Sequence, residues 1–168
     1  MRTLLERMNA LEAPICLRWS RRGDQLEVQR FFAVVSRLGD GVFWYLVMCL
    51  LPTLYGAPGL KAALHMLLVG AVSLALYKAL KVGTTRARPC DFDTSIRRHA
   101  PALDRYSFPS GHTMHAVGFT LVIAGYFPPA AVLVAPFAAL VAVSRLVLGL
   151  HYPSDVLVGA LIGATVAA

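Results

Sequence analysis

Between Tyr106 and Ser144 the chain carries no Asp, Glu, Lys or Arg. Gly41–Leu60 is equally free of them, and in Ala62–Tyr77 the one basic side chain is His65. A bilayer span needs about 20 mostly apolar residues, and these runs supply that length several times over. The whole chain is 168 residues, a single-domain length, and is 57% hydrophobic with 15% charged residues. A soluble domain has roughly 45–50% and about 25%. A soluble all-helical protein with a large core is the competing reading. It fails because so short a chain cannot cover so much apolar surface. The expected fold class is therefore all-α, a multi-pass transmembrane helical bundle with about five spans and N-terminal amphipathic helices.

The order of elements follows from periodicity and breakers. In residues 2–22, Leu4, Leu5, Met8, Leu11 and Ile15 recur at helical spacing among Arg2, Arg7 and Arg18, which predicts a helix lying in the membrane interface. A second amphipathic helix is predicted over 25–38, ending near Gly39. Spans are predicted at 41–57, 60–80, 111–127 and 130–149, with a fifth from Ser154. "GAPG" (56–59) reads as a turn, and "FPP" (127–129) as a break. This divides the chain into amphipathic interfacial helices, 1–40, and a transmembrane domain, 41–168, whose one long polar loop spans 81–110. Short loops predict antiparallel neighbours. No cleavable signal pattern precedes the first span, which would then serve as the targeting signal. The chain stops inside an apolar run, "GATVAA", as if its last helix were cut. Cys16, Cys49 and Cys90 have neither disulfide nor zinc spacing, and Cys49 reads as a small core residue.

Charge at membrane depth is costly and tends to mark function. Arg145 sits deep in "LVAVSRLVLGLHYPSDVLVG", with His151 and Asp155 behind it. Asp155 follows His151 by four residues, about one helical turn, so the pair can share a face. A carboxylate on Nδ1–H leaves Nε2 as a free lone pair, which suits a nucleophile or base. A helix-capping network explains the same spacing equally well. In "PSGH", Pro109 and Ser110 mark a helix start, with Ser110 near the N-cap, and Gly111 allows close backbone approach. The free amides there make an anion site, with His112 placed to donate a proton. A capped helix with a surface histidine is the alternative. In "KVGTTRARP", Lys81 and Arg88 can both point at one anion, which a guanidinium grips bidentately. Arg86 reads instead as an interfacial cation near lipid headgroups. His65 is read as a span residue and His115 as a packing residue near the entrance.

Taken together, Lys81…Arg88-Pro89, Pro109-Ser110-Gly111-His112 and Ser144-Arg145…His151…Asp155 resemble the three-part signature of the type 2 phosphatidic acid phosphatases, the superfamily that also holds the vanadium haloperoxidases. Every motif position is matched, over residues 81–155. The resemblance implies a metal-independent lipid phosphatase in which His151 attacks phosphorus, Asp155 orients it and His112 protonates the leaving oxygen. Lys81, Arg88, Ser110, Gly111 and Arg145 would hold the phosphoryl oxygens. No cofactor and no metal are expected; the acids are dispersed and the remaining histidines lack partners at ligand spacing.

The implied substrate is a lipid-borne phosphate. A polyprenyl diphosphate such as undecaprenyl diphosphate is favoured, with phosphatidate or phosphatidylglycerophosphate as alternatives. A non-catalytic lipid-binding or transport subunit is the alternative of another class, set aside because His112, His151 and Asp155 are all present. A soluble haloperoxidase is set aside by the density of spans. The net charge of +7 does not indicate nucleic acid, because the basic residues flank spans without interleaved aromatics. Small size and short loops resemble bacterial inner-membrane enzymes. Seven Lys and Arg lie in 1–37 and seven in 78–105, which leans the site toward the cytoplasmic face.

Overall fold

A computed structural model describes the backbone of residues 2–168 and the side chains from Leu4 onward, so the side chain of Arg2 lies outside the described residues. Helices run α1 Arg2–Ser20, α2 Leu26–Arg37, α3 Phe43–Thr84, α4 Pro89–Phe92, α5 Gly111–Tyr126, α6 Pro128–Val147 and α7 Pro153–Ala167. No strand occurs among the described residues, as an all-α bundle requires.

The predicted breaks fall where backbone chemistry demands them. Gly56 takes φ 60°, a left-handed value that glycine adopts without penalty, and folds α3 into two limbs. A Cβ on Gly59 would meet the Leu51 carbonyl oxygen at 2.0 Å, so the limbs reverse tightly at "GAPG". The turn thus costs almost no chain between the two expected spans. Phe127 leaves helical geometry, and Pro128 and Pro129 open α6 at positions where a missing N–H is harmless. Gly41, at φ 144°, releases the chain from α2 into α3.

Helix α5 sits at the centre, against α3, α6 and α7. Its apolar side chains Phe119, Val122 and Ile123 pack with Trp44, Met66, Val69 and Val141. Small residues allow the closest contacts, as is common between helices in lipid. A Cβ on Gly159 would lie 2.6 Å from the Ser110 carbonyl oxygen, and one on Gly163 only 2.2 Å from that of Met114. The outside is oily: Leu64, Leu67, Leu68, Val132 and Leu133 are exposed, Leu133 by 81%. Patches of that extent do not face water in a monomer. Two helical stretches among the described residues, those containing α3 and α6, are long and apolar enough to cross a membrane, while α7 is apolar but shorter. Cys49, expected in the core, is exposed on α3, because the first limb turns that face outward.

Helix α1 docks one face on the bundle. Ala13 and Cys16 pack with Ile96 and Tyr152, while Leu4 and Leu11 stay exposed.

Replacing Gly163 with Ala pushes a methyl group into a backbone carbonyl that cannot move alone. A loss of about 1–3 kcal/mol is expected, read as a lower unfolding midpoint in detergent micelles. Gly125→Ala is the control, since nothing lies within 4 Å of its Cβ position.

Candidate functional site

Three backbone devices bring the motif segments together. The Ser110 N–H donates to the Asp155 carbonyl at 3.0 Å, tying the start of α5 to the start of α7. Gly149 takes φ 67°, and a Cβ there would lie 2.3 Å from the Arg97 carbonyl oxygen, so the chain turns sharply after α6 against the polar loop. The N–H groups of Leu150 and His151 then both donate to the Arg145 carbonyl, at 3.0 and 3.2 Å. His151 is thereby hung beneath the end of the helix that carries Arg145.

The side chains meet in one cavity of ≈ 340 Å³, lined at its polar end by Lys81, Arg88, Gly111, His112, Arg145 and His151. Each cation is buried and held by neutral or acidic oxygens. Lys81 Nζ donates to the Tyr106 carbonyl at 2.6 Å and lies 3.5 Å from Asp104 Oδ2. Arg88 donates from Nε and Nη2 to the Asp104 carbonyl at 3.0 and 2.8 Å, and from Nη1 to the Leu150 carbonyl at 2.7 Å. Arg145 donates to the Ser36 hydroxyl, while its Nε is buried without a partner. Burial, followed by the nearby charges of Arg145, Arg88 and Lys81, holds the His151 imidazole well below its ordinary value of 6.5. The ring is therefore neutral at physiological pH. Trp44, Met48, Met66, Leu67 and Leu74 form an apolar wall to the same cavity.

Two expected site residues stand behind the cavity rather than on its surface. The Ser110 hydroxyl accepts the Thr113 N–H as the N-cap of α5 and pairs with the Thr113 hydroxyl at 3.0 Å. Asp155 is fully buried, with Oδ2 3.5 Å from His151 Nδ1. That is longer than a normal hydrogen bond of about 2.7–3.2 Å. The shared helical face expected for the pair is not what joins them. His151 precedes α7, and Asp155, in its first turn, folds back to accept the Tyr152 N–H at 2.9 Å. One oxygen, Oδ2, serves the cap and also lies nearest His151 Nδ1, while Oδ1 meets Arg86.

Arg86 corrects the sequence reading. It is not an interfacial cation but 1% exposed, with Nη1 2.6 Å from Asp155 Oδ1. Nothing local marks it: Arg88, two residues on, lines the cavity, while Arg86 lies outside it. Asp40 and Glu12 were missed altogether. Asp40, in the turn between α2 and α3, hydrogen-bonds His112 Nε2. Glu12 reaches the site from α1. Neither lies near a motif in sequence, so only the packing reveals them. His115 both packs and lines the cavity, bridging the carbonyls of Gly111 and Gly70 at 2.8 and 3.2 Å.

Comparison with known proteins gives the family and the fold. Decaprenylphosphoryl-5-phosphoribose phosphatase of Mycobacterium tuberculosis is 34% identical over 140 residues, covering 80% of this chain and 73% of that protein. Phosphatidylglycerophosphatase B of Haemophilus influenzae is 45% identical over 67 residues, 34% of this chain and 28% of that protein. The crystal structure of LpxE from Aquifex aeolicus superposes with a TM-score of 0.80 at 25% identity, covering 94% of this chain and 92% of that one. A transmembrane PAP2-type phosphatidylglycerolphosphate phosphatase from Bacillus subtilis shares the fold, with a TM-score of 0.71 at 22% identity over 98% and 91% of the two chains. The profile of the PAP2 superfamily matches residues 62–168, which hold every motif residue and the whole cation cluster, and the chain belongs to that superfamily of phosphatases.

Proposed function

We propose that this protein removes a phosphate from a polyprenyl-borne lipid through a phosphohistidine on His151, without a metal ion. The observation that carries the reading is the convergence of Lys81, Arg88 and Arg145 on one cavity beside a neutral, buried His151. Phosphoryl transfer is catalysed mostly by positioning and by charge that matches the equatorial oxygens, and three cations supply that charge. The Gly111 amide, at the start of α5, would add a donor.

In the proposed reaction His151 Nε2 attacks phosphorus and the bond to the leaving oxygen breaks. The electron pair stays on that oxygen, which takes a proton from His112. Water then attacks the phosphohistidine and gives its proton back to His112. The phosphorus–nitrogen bond breaks, inorganic phosphate leaves and His151 is restored. Asp40 orients His112, and Asp155 balances the cation that His151 becomes. The apolar wall from Trp44 to Leu74 continues from the cation cluster, which suits a headgroup phosphate with its tail along the bundle.

A polyprenyl carrier is favoured over a glycerolipid because the mycobacterial relative acts on a decaprenyl-linked sugar phosphate. Undecaprenyl diphosphate, a polyprenyl-linked sugar phosphate, phosphatidate and phosphatidylglycerophosphate form the discriminating panel. The same polar end carries α1, α4 and the loop, so α1 and the site lie on one side of the bundle. We place that side in the cytoplasm of a bacterial inner membrane, with α3, α5, α6 and α7 crossing. In a variant without native cysteines, Ser95→Cys should resist an impermeant thiol reagent in intact cells; labelling would put the site outside.

Purified protein should release phosphate from the polyprenyl members of the panel, and a chelator should leave the rate unchanged. His151→Ala should lower kcat more than about a thousandfold, and His112→Ala about 10²–10⁴-fold. Full activity in His151→Ala would remove the nucleophile assignment.

A depressed imidazole value means that acid, not base, disables His151: protonation begins only well below pH 6.5. ¹⁵N-histidine spectra of the free protein in micelles should show the His151 ring neutral at pH 6.5. A midpoint at or above 6.5 would contradict the burial argument.

A further inference from the structure

Arg86 lies outside the cavity, yet each nitrogen of its guanidinium has a partner. Nε donates to Asn9 Oδ1 at 2.8 Å. Nη1 donates to Asp155 Oδ1 and to the Ser154 hydroxyl, both at 2.6 Å, and Nη2 donates to Glu12 Oε1 at 3.1 Å. The guanidinium carbon stands 4.0 Å from the centre of the Tyr152 ring. Glu12 continues the network, accepting the Ser154 N–H at 2.8 Å and its hydroxyl at 2.7 Å. A helix from the start of the chain and a helix from its end therefore meet on one buried cation, immediately behind the histidine that faces the cavity.

We infer that Arg86, braced by Glu12, is a positioning residue that keeps Asp155 ionised and aims its second oxygen at His151. The inference rests on the phosphohistidine reading given above. A carboxylate with no exposed surface takes up a proton unless an opposite charge or hydrogen bonds hold it ionised. Arg86 on Oδ1 and the Tyr152 N–H on Oδ2 do that. The planar fork also fixes the carboxylate's rotation, because two donors of one guanidinium are locked by Asp155 and Glu12. Oδ2 is left 3.5 Å from His151 Nδ1, placed to draw in when that ring becomes cationic.

The charges around this pair are accounted for on every side. Asp155 feels Glu12 and Cys16 of α1, Lys81 at the end of α3, Arg86 and Arg88 of the polar segment, and Tyr152 beside it. Burial pushes the Cys16 thiol up to about 12, and it pushes Tyr152 up as well, so both stay neutral. His151 faces Arg145 of α6, Arg88, Lys81 and His112 of α5. Arg86 and Glu12 are thus opposite charges acting on one acid–imidazole pair from outside the cavity.

That arrangement gives a signed test. In Arg86→Gln, Asp155 and His151 both hold protons more tightly, so the acid limb of kcat should move up by about 1–3 pH units. KM should change little, because Arg86 does not line the cavity. In Glu12→Gln the cation is no longer shared and the limb should move down. Arg86→Lys keeps the charge but not the fork; its limb should stay near that of the wild type while kcat falls. An acid limb unmoved in Arg86→Gln, or one that moves the same way in Arg86→Gln and Glu12→Gln, would overturn the inference. Should Arg86→Gln not fold, Glu12→Gln and Arg86→Lys still carry the test. A wild-type protein that releases no phosphate from any lipid would refute the proposed function instead. The His151 ¹⁵N titration in wild type and Glu12→Gln would then decide this inference without turnover: a downward shift supports it, and no shift or an upward one refutes it.

Discussion

Three cations buried round a single cavity repel one another, and most of the polar structure exists to make that tolerable. Removing a charge from water costs several kcal/mol unless oxygen atoms replace the lost hydration. Here the replacements are mainly backbone carbonyls. Tyr106, Asp104 and Leu150 supply them for Lys81 and Arg88. This explains why the segment after α3 is irregular: a regular helix would spend its carbonyls on itself. The residual positive field then does two things at once. It adds to burial, the larger cause, in keeping His151 neutral, and it makes a multiply charged tetrahedral oxyanion the favoured occupant of the cavity in the proposed reaction.

The apolar bundle answers a different demand. Helix α5 must lie close to α7 for the Ser110 amide to reach the Asp155 carbonyl. Gly159 and Gly163 permit that approach, at contacts that leave no room for a methyl group. Packing far from the cavity therefore sets the spacing of the two histidines. In the proposed mechanism His112 and His151 must act on opposite ends of one phosphorus–oxygen bond, so a shift between α5 and α7 acts directly on catalysis.

The N-terminal forty residues read, from sequence, as a membrane-surface appendage, and their exposed leucines fit that. Their polar residues have a second task. Asn9 and Glu12 anchor Arg86, Ser36 receives Arg145, and Asp40 meets His112. Of the two acids that lie far from any motif, Asp40 meets His112 and Glu12 meets Arg86 behind Asp155. The segment expected at the membrane surface therefore also takes part in assembling the site.

By itself, the amino-acid sequence determined the fold class and pointed to the family. Charge-free runs require helices in an apolar setting, because backbone groups there can be satisfied only within the segment. The resemblance of the chain's three motifs to a family signature named Lys81, Arg88, His112, Arg145, His151 and Asp155 as candidates. Which charges stand behind the cluster was decided only by tertiary structure. Arg86 has the local context of a surface cation, and Glu12 and Asp40 sit in segments with no motif at all. The partners of Arg86 lie 68 to 77 residues away and that of Asp40 lies 72 away, and separations of that kind leave no periodic trace along a chain. The fold brought them together because a buried charge must find its opposite, and local sequence does not say where that opposite will be.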